Sequence, residues 1–177
     1  MIGDDDPADG LIARLRDGSP VGAWMLKAQP DVWDIGSALR DGVELDSWRL
    51  APSYRAELVH VGHPCVLWIT RGDNRVPSGV WAIGEVTGEP DLDVGDPDDD
   101  LWRDARARRE LRPMVPVRLR ALRRGVSKEL IRADPRLASI EMFRVPRMGN
   151  PAALTPEEWW ALEELVLDLE GDGTADP

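Results

Sequence analysis

Apolar and polar positions along this chain change period several times, and each change marks an element. Gly22-Ala23-Trp24-Met25-Leu26-Lys27 is an unbroken apolar run ending at Gln29-Pro30. Because the residue before a proline is steered toward extended backbone, this run predicts a buried strand leaving the core. Residues 31–40 place Val32, Ile35 and Leu39 at helical spacing before Gly42, a stop signal, and predict a helix. Val43–Leu50 alternates loosely. Pro64–Thr70 and Gly79–Thr87 are β-rich runs separated by the polar stretch 71–78, the pattern of a hairpin with a long loop. In 115–122, Val115, Val117 and Leu119 share one face and Arg118 and Arg120 the other, which predicts a strand with one basic, wet side. Ser127 is placed to cap a short helix that Pro135 ends. Thr155-Pro156-Glu157-Glu158 combines a capping hydroxyl, a proline at the first helical position and a glutamate three residues after the cap. A helix is expected from there to about Leu169, with Trp159, Leu162, Leu165, Val166 and Leu169 on one side.

Strands dominate, and no fixed-period repeat is present. The fold class expected is α+β, a small, curved, mixed sheet closing toward a β-barrel with helices packed around it. At 177 residues the chain is read as one domain over residues 21–169, with a partly flexible N-terminal extension over 1–20 and a disordered tail over 170–177. Residues 88–100, polar and aperiodic, are expected to be a mobile surface loop.

Charge alters the picture because it is unevenly spread. The net charge is −11, yet residues 105–156 hold thirteen Arg and Lys against four acids, while 1–10, 89–104 and 157–177 carry −4, −7 and −8. An arginine-rich field beside acidic loops can still hold a polyanion, since the local potential at a groove decides binding. A self-neutralising surface, with Arg108, Arg109 and Arg112 paired to the acidic loop, is the competing reading. No apolar stretch approaches the roughly 20 residues that cross a bilayer, and the start has no basic or apolar leader, so a soluble, cytoplasmic protein with no membrane contact is expected. Cys65 stands alone and forms no internal disulfide.

Eight of the ten aromatic residues are tryptophans, and six of these (Trp24, Trp33, Trp48, Trp68, Trp81 and Trp102) fall among the strand-like segments of the first 102 residues. Indoles converging on a groove would make a stacking platform for a planar ligand such as a nucleobase, whereas each one alone could equally fill a core. Trp24-Met25-Leu26-Lys27-Ala28-Gln29-Pro30-Asp31-Val32-Trp33 resembles the opening strand and turn of EVE domains. Ser78-Gly79-Val80-Trp81-Ala82-Ile83-Gly84-Glu85-Val86 is similar to their glycine-led central strand, and 149–159 to their last strand and closing helix. The resemblance implies a PUA-like β-barrel that binds nucleic acid, related to readers that hold an unpaired modified base in an aromatic pocket. EVE domains follow their pocket Trp with Gly-Val-Arg-Asn-Tyr-Gln-Ala, where this chain has Arg49-Leu50-Ala51-Pro52-Ser53-Tyr54-Arg55-Ala56 after Trp48. Trp48, Tyr54 and Ala56 carry over; the Asn and Gln do not.

A base reader needs a stacking surface, groups aimed at the base edge, and cations for phosphate. Trp48 and Trp68 are expected to stack, with Trp33 or Trp81 as a further wall; Ser47, Asp46, Tyr54 and Thr70 are expected at the base edge. Arg49, Arg55, Arg118 and Arg120 are the expected phosphate contacts. No cofactor or metal is expected. His60-Val61-Gly62-His63-Pro64-Cys65 lacks a fourth ligand, and no phosphate loop, nucleophile elbow or zinc-protease motif is present. The function expected is a non-catalytic module that binds nucleic acid through a modified base. A small enzyme on the same barrel, using Tyr54 with Lys27 or a histidine, and a protein-interaction domain using the arginine-rich strand are the alternatives.

Overall fold

The computed structural model describes residues 10–72, 75–96 and 98–171. Its elements run β1 (Ala13–Arg14), β2 (Pro20–Val21), β3 (Ala23–Ala28), α1 (Ile35–Asp41), β4 (Leu45–Arg49), a 3-10 turn (Ala56–Leu58), β5 (Pro64–Ile69), β6 (Gly79–Val86), β7 (Asp91–Asp93), α2 (Ala105–Arg108), β8 (Arg112–Ser127), α3 (Lys128–Ala133), α4 (Glu141–Arg144), β9 (Ala152–Leu154) and α5 (Pro156–Gly171). The expectations for residues 1–9 and 172–177 lie outside the described residues.

Seven strands form one sheet in the order β4-β8-β6-β5-β3-β9, with β7 added along β8; β1 and β2 pair separately. Every pairing is antiparallel except β3 with β5. A parallel pair needs a crossover, and residues 29–63, including α1 and β4, supply it. The expected α+β class and mixed sheet are present, but the barrel is not: β4 and β9 remain as two edges that form no ladder. They meet only at their ends, where Ala51 N–H donates to Asn150 O at 2.8 Å and Asn150 Nδ2 to the Arg49 carbonyl at 2.6 Å. A seam is therefore left open between them.

Strand alternation divides the apolar residues between two cores. Trp24, Leu26, Cys65, Leu67, Ile69, Val115, Val117 and Leu119 fill one face with Ile35 and Ala38 of α1. Met25, Val66, Trp68, Val80, Leu122 and Val126 fill the other against Ile131, Met142, Trp159, Leu162 and Val166 of α3, α4 and α5. Strand β8 serves both by plain alternation, its odd positions 115–119 facing the first core and Leu122 and Val126 the second, while the bulge in β6 between Val80 and Ala82 puts those two residues in different cores. Burying each Leu or Val side chain contributes about 1.5–3 kcal/mol, so both faces are needed to stabilise the sheet.

Local signals were sufficient for several elements. Thr155 Oγ1 accepts from Glu158 N–H at 3.2 Å and Glu158 Oε2 from Thr155 N–H at 2.9 Å, the reciprocal cap read in the sequence. Ser127 caps α3, and Gly42 ends α1 with φ +68. Trp159 is buried and Trp160 half exposed. Helix α1 starts later than expected, at Ile35, because Asp34 caps it through Ser37 N–H. The loop expected over 88–100 is in part structured: Asp91–Asp93 pairs with β8. Residues 10–20 also pack onto the domain, with Leu15 buried in the first core. Among the described residues, no helix is long and apolar enough to cross a membrane.

Candidate functional site

The open seam is a groove of about 980 Å³. One wall is β4 with its flanks, 43–51; facing it are the segment before β9, 146–150, and the ends of β3 and β5 at Lys27, Thr70 and Arg71. Asp96, Asp99, Leu101 and Trp102, with Ala107, Glu110, Arg112 and Met114, close the remaining side. Ligand sites commonly span about 300–1,000 Å³, so the groove has room for a nucleobase and flanking backbone.

Three indoles line it. Trp33 and Trp48 meet edge to face, centroids 5.7 Å apart and planes at 90°. Trp48 Nε1 donates to the Lys27 carbonyl at 3.1 Å and Trp33 Nε1 to Asp99 Oδ2 at 2.7 Å, so both rings are fixed through their only polar atom. Trp102 forms a β-bridge with Trp33 and carries the Arg49 guanidinium 4.5 Å from its ring centre. Ser47, Asp46 and Thr70 also line the groove, and Thr70 donates its hydroxyl to the Ala28 carbonyl at 3.0 Å.

Other expected site residues lie elsewhere. Trp68 sits on the opposite face of β5, buried in the second core and packed edge to face on Phe143 at 5.8 Å. Its strand alternates, so Trp68 points away from the face shared by Leu67 and Ile69. Trp81 packs on the first core, pinned by Nε1 to the Pro77 carbonyl at 2.8 Å and fitted over Gly125, where a Cβ would come 2.5 Å from its ring. Tyr54 lines a separate cavity of about 560 Å³ with Pro52, Glu57, Glu89 and Leu92, and Arg16 covers its ring at 4.1 Å.

The expected phosphate contacts are mostly occupied. Arg55 is buried and donates twice to Glu141 at 2.7 Å and once to the Pro151 carbonyl at 3.3 Å. The Glu141 hydrogen bond holds its guanidinium more firmly charged than usual. Arg118 pairs with Glu85 and Arg120 with Glu170. Arg49 does line the groove, but its terminal nitrogens donate to the carbonyls of Ala107, Val94 and Arg108, and burial lowers its pKa.

Several groove residues carried no clear signal in the sequence. Trp102, one of the six tryptophans grouped in the sequence, was not assigned to the site because it follows an acidic stretch that reads as a loop. Asn150 joins the two sheet edges and accepts from Lys27 N–H at 3.0 Å. Lys27 Nζ donates to the Met148 carbonyl, and burial lowers its pKa. Arg112 donates twice to Glu110, at 2.6 and 3.0 Å, holding that carboxyl below its usual range.

The groups invoked for an enzyme are not brought together. Lys27 is in the groove, Tyr54 in the other cavity, and His63 accepts at Nδ1 from Trp24 Nε1 at 3.1 Å and from His60 N–H at 3.1 Å. Burial pushes the Cys65 thiol up to about 12, as for an inert core residue. Among the described residues, no three His, Cys, Asp or Glu side chains are grouped to hold a metal ion.

Comparison with known proteins places this geometry. The family model described as "EVE domain" matches residues 22–165. Among solved structures, a hypothetical protein from Leishmania major is similar with TM-score 0.62 and 15% identity, over 84% of this chain and 96% of that one. A protein from Pseudomonas putida gives 0.58 and 20%, covering 82% and 99%. The DUF55 domain of human thymocyte nuclear protein 1 gives 0.56 and 14%, covering 81% and 98%. At these identities the structures show the fold alone. No curated protein matches the chain.

Proposed function

The chain belongs to the EVE domain family, associated with nucleic-acid binding, and we propose that it is a non-catalytic module that holds an unpaired, modified nucleobase in the seam groove. The binding unit is residues 21–169, a PUA-like domain whose sheet leaves its mouth open. The observation that carries the proposal is the right-angled pair of Trp33 and Trp48, with Trp102 beside them, in a groove roomy enough for a nucleotide.

Because hydrogen bonds tie down the two indole N–H groups, a base entering beside the rings finds them already ordered. Stacking on one aromatic ring contributes about 1–3 kcal/mol per base; with the two rings at 90° a base stacks on one and meets the other edge-on, and the rest of the affinity comes from polar and backbone contacts. A methyl or hydroxymethyl group on the base contributes about 1 kcal/mol through burial, and Ser47, Asp46 and Thr70 supply the polar contacts for further discrimination.

Substituting Trp48 tests the function. Trp48→Ala is expected to lose binding of modified nucleosides while its circular dichroism stays that of the wild type. Wild-type affinity in a folded Trp48→Ala protein would remove Trp48 from the site.

A further inference from the structure

The charged residues of the groove separate by element. Its acids come from the turn after β3 (Asp31), from β4 and its lead-in (Glu44, Asp46) and from the 95–110 side (Asp96, Asp99, Glu110). Lys27 on β3, Arg71 just after β5 and Arg147 on the segment leading into β9 lie at one end of the sheet, while Arg49 and Arg112, on β4 and β8, stand among the acids. Ala28 aligns with Ile69 in the parallel pair, and Lys27 N–H reaches Asn150 just before β9, so these strand ends share a rim.

Most groove cations already have partners. Lys27 is held by Met148, Arg49 by three carbonyls and Trp102, and Arg112 by Glu110. Arg71 and Arg147 are exposed, and among the described residues their side chains make no ion pair or hydrogen bond.

Both free arginines nonetheless sit on constrained backbone. Arg71 is the one described non-glycine residue with positive φ, +50. The tight turn behind it leaves no room at Gly72, where a Cβ would lie 2.2 Å from the Val76 carbonyl oxygen, and Gly72 N–H donates to Ser78 Oγ at 3.1 Å. Thr70 N–H, just before it, is tied to Ala28 O at 2.9 Å. Arg147 is bracketed by the Val145–Met148 backbone bond of 2.9 Å, the Lys27–Met148 contact and the Asn150 bridge. Unfavourable backbone conformations persist where surrounding structure enforces them, and they cluster at ligand-gripping positions.

We propose that Arg71 and Arg147 are the phosphate-contacting residues of the groove, so that a single-stranded nucleic acid runs along the β5-β3-β9 rim and away from the acidic β4 side. This deepens the function proposed above and rests on it. A planar guanidinium fork suits phosphate oxygens, and a free fork on a fixed backbone loses no ion pair when it binds.

The test is the salt dependence of binding for fluorescein-labelled, mixed-sequence, single-stranded seven-nucleotide DNA and RNA, read by anisotropy. Each phosphate contact on a single strand contributes about −0.7 to the slope of log K against log salt. Two contacts predict a slope of about −1.4, and Arg71→Gln or Arg147→Gln about −0.7. Arg118→Gln and Arg120→Gln should leave the slope unchanged. Nucleosides, which lack phosphate, should quench tryptophan emission equally in all four variants and the wild type. An unchanged slope in both Arg71→Gln and Arg147→Gln, or an equal fall in Arg118→Gln and Arg120→Gln, overturns the assignment while nucleoside quenching leaves the groove's function standing. If neither nucleosides nor oligonucleotides bind the wild type, the function itself fails and the assignment with it.

Discussion

Removing Arg55 separates a structural arginine from a nucleic-acid contact. Side-chain exposure is 8% for Arg55 and 10% for Glu141, and the pair is bidentate at 2.7 Å. Glu141 also accepts from Ala153 N–H at 2.8 Å, and Arg55 donates to the Pro151 carbonyl, so the pair ties the 52–58 turn to α4 and β9. Breaking a buried ion pair leaves an uncompensated charge and costs about 3–5 kcal/mol. Of the single variants Arg55→Met and Glu141→Leu, the second also orphans Ala153 N–H, a loss of about 1–3 kcal/mol, and falls at the upper end. For a domain of this size 1 kcal/mol moves Tm by about 2–4 °C, so each single variant should melt about 6–20 °C lower. Arg55→Met with Glu141→Leu should lose less than the two single changes summed, by about 0.5–3 kcal/mol, because neither charge is then stranded. Thermal melts by circular dichroism measure all three, and oligonucleotide affinity of the folded Arg55→Met/Glu141→Leu protein should match the wild type. Single variants that lose under about 1 kcal/mol, or strict additivity, would refute a buried, coupled pair.

Two further outcomes follow from local geometry. His63 Nδ1 accepts two hydrogen bonds, and burial first, then the neighbouring His60, lowers its pKa from 6.5 against a smaller upward pull from Glu89. Folding thus favours neutral His63: its stabilisation is complete above pH 6.5 and is lost as pH falls through the depressed folded value, so Tm should drop between pH 7.5 and 5.5. The drop should be smaller in His63→Gln, and an equal drop would assign the titration to another group. Gly125→Ala should push Trp81 aside and cost about 1–3 kcal/mol by overpacking, without altering nucleoside binding. Weakened binding in that variant, with its melt still cooperative, would bring Trp81 into the ligand site.

What the sequence made legible was local. The Thr155–Glu158 cap, the Gly42 stop and the β5–β6 hairpin each depend on residues a few positions apart. The β-rich run 64–70 has apolar residues on both faces, so its pattern did not tell whether Trp68 would face a ligand or the helices; the choice was made by α4, where Phe143 receives Trp68. Arg55 looked like any loop arginine because Glu141 is 86 positions away. Trp102 was counted among the tryptophans but not placed in the site, because the path of its acidic segment depends on Trp33 and Arg49, both distant in the chain. The open seam could not be read at all, since barrel closure is decided by how far the whole sheet curls.

The central claim is that the seam groove stacks a base on Trp48, with Trp33 standing at right angles to it as a second wall. Tryptophan emission, titrated with plain and modified nucleosides in the wild type and Trp48→Ala, tests it most directly. Quenching by one class of nucleoside is predicted, with affinity falling about 5- to 150-fold in Trp48→Ala and circular dichroism unchanged. Equal affinity in the two proteins, or no quenching of the wild type by any nucleoside, would contradict it.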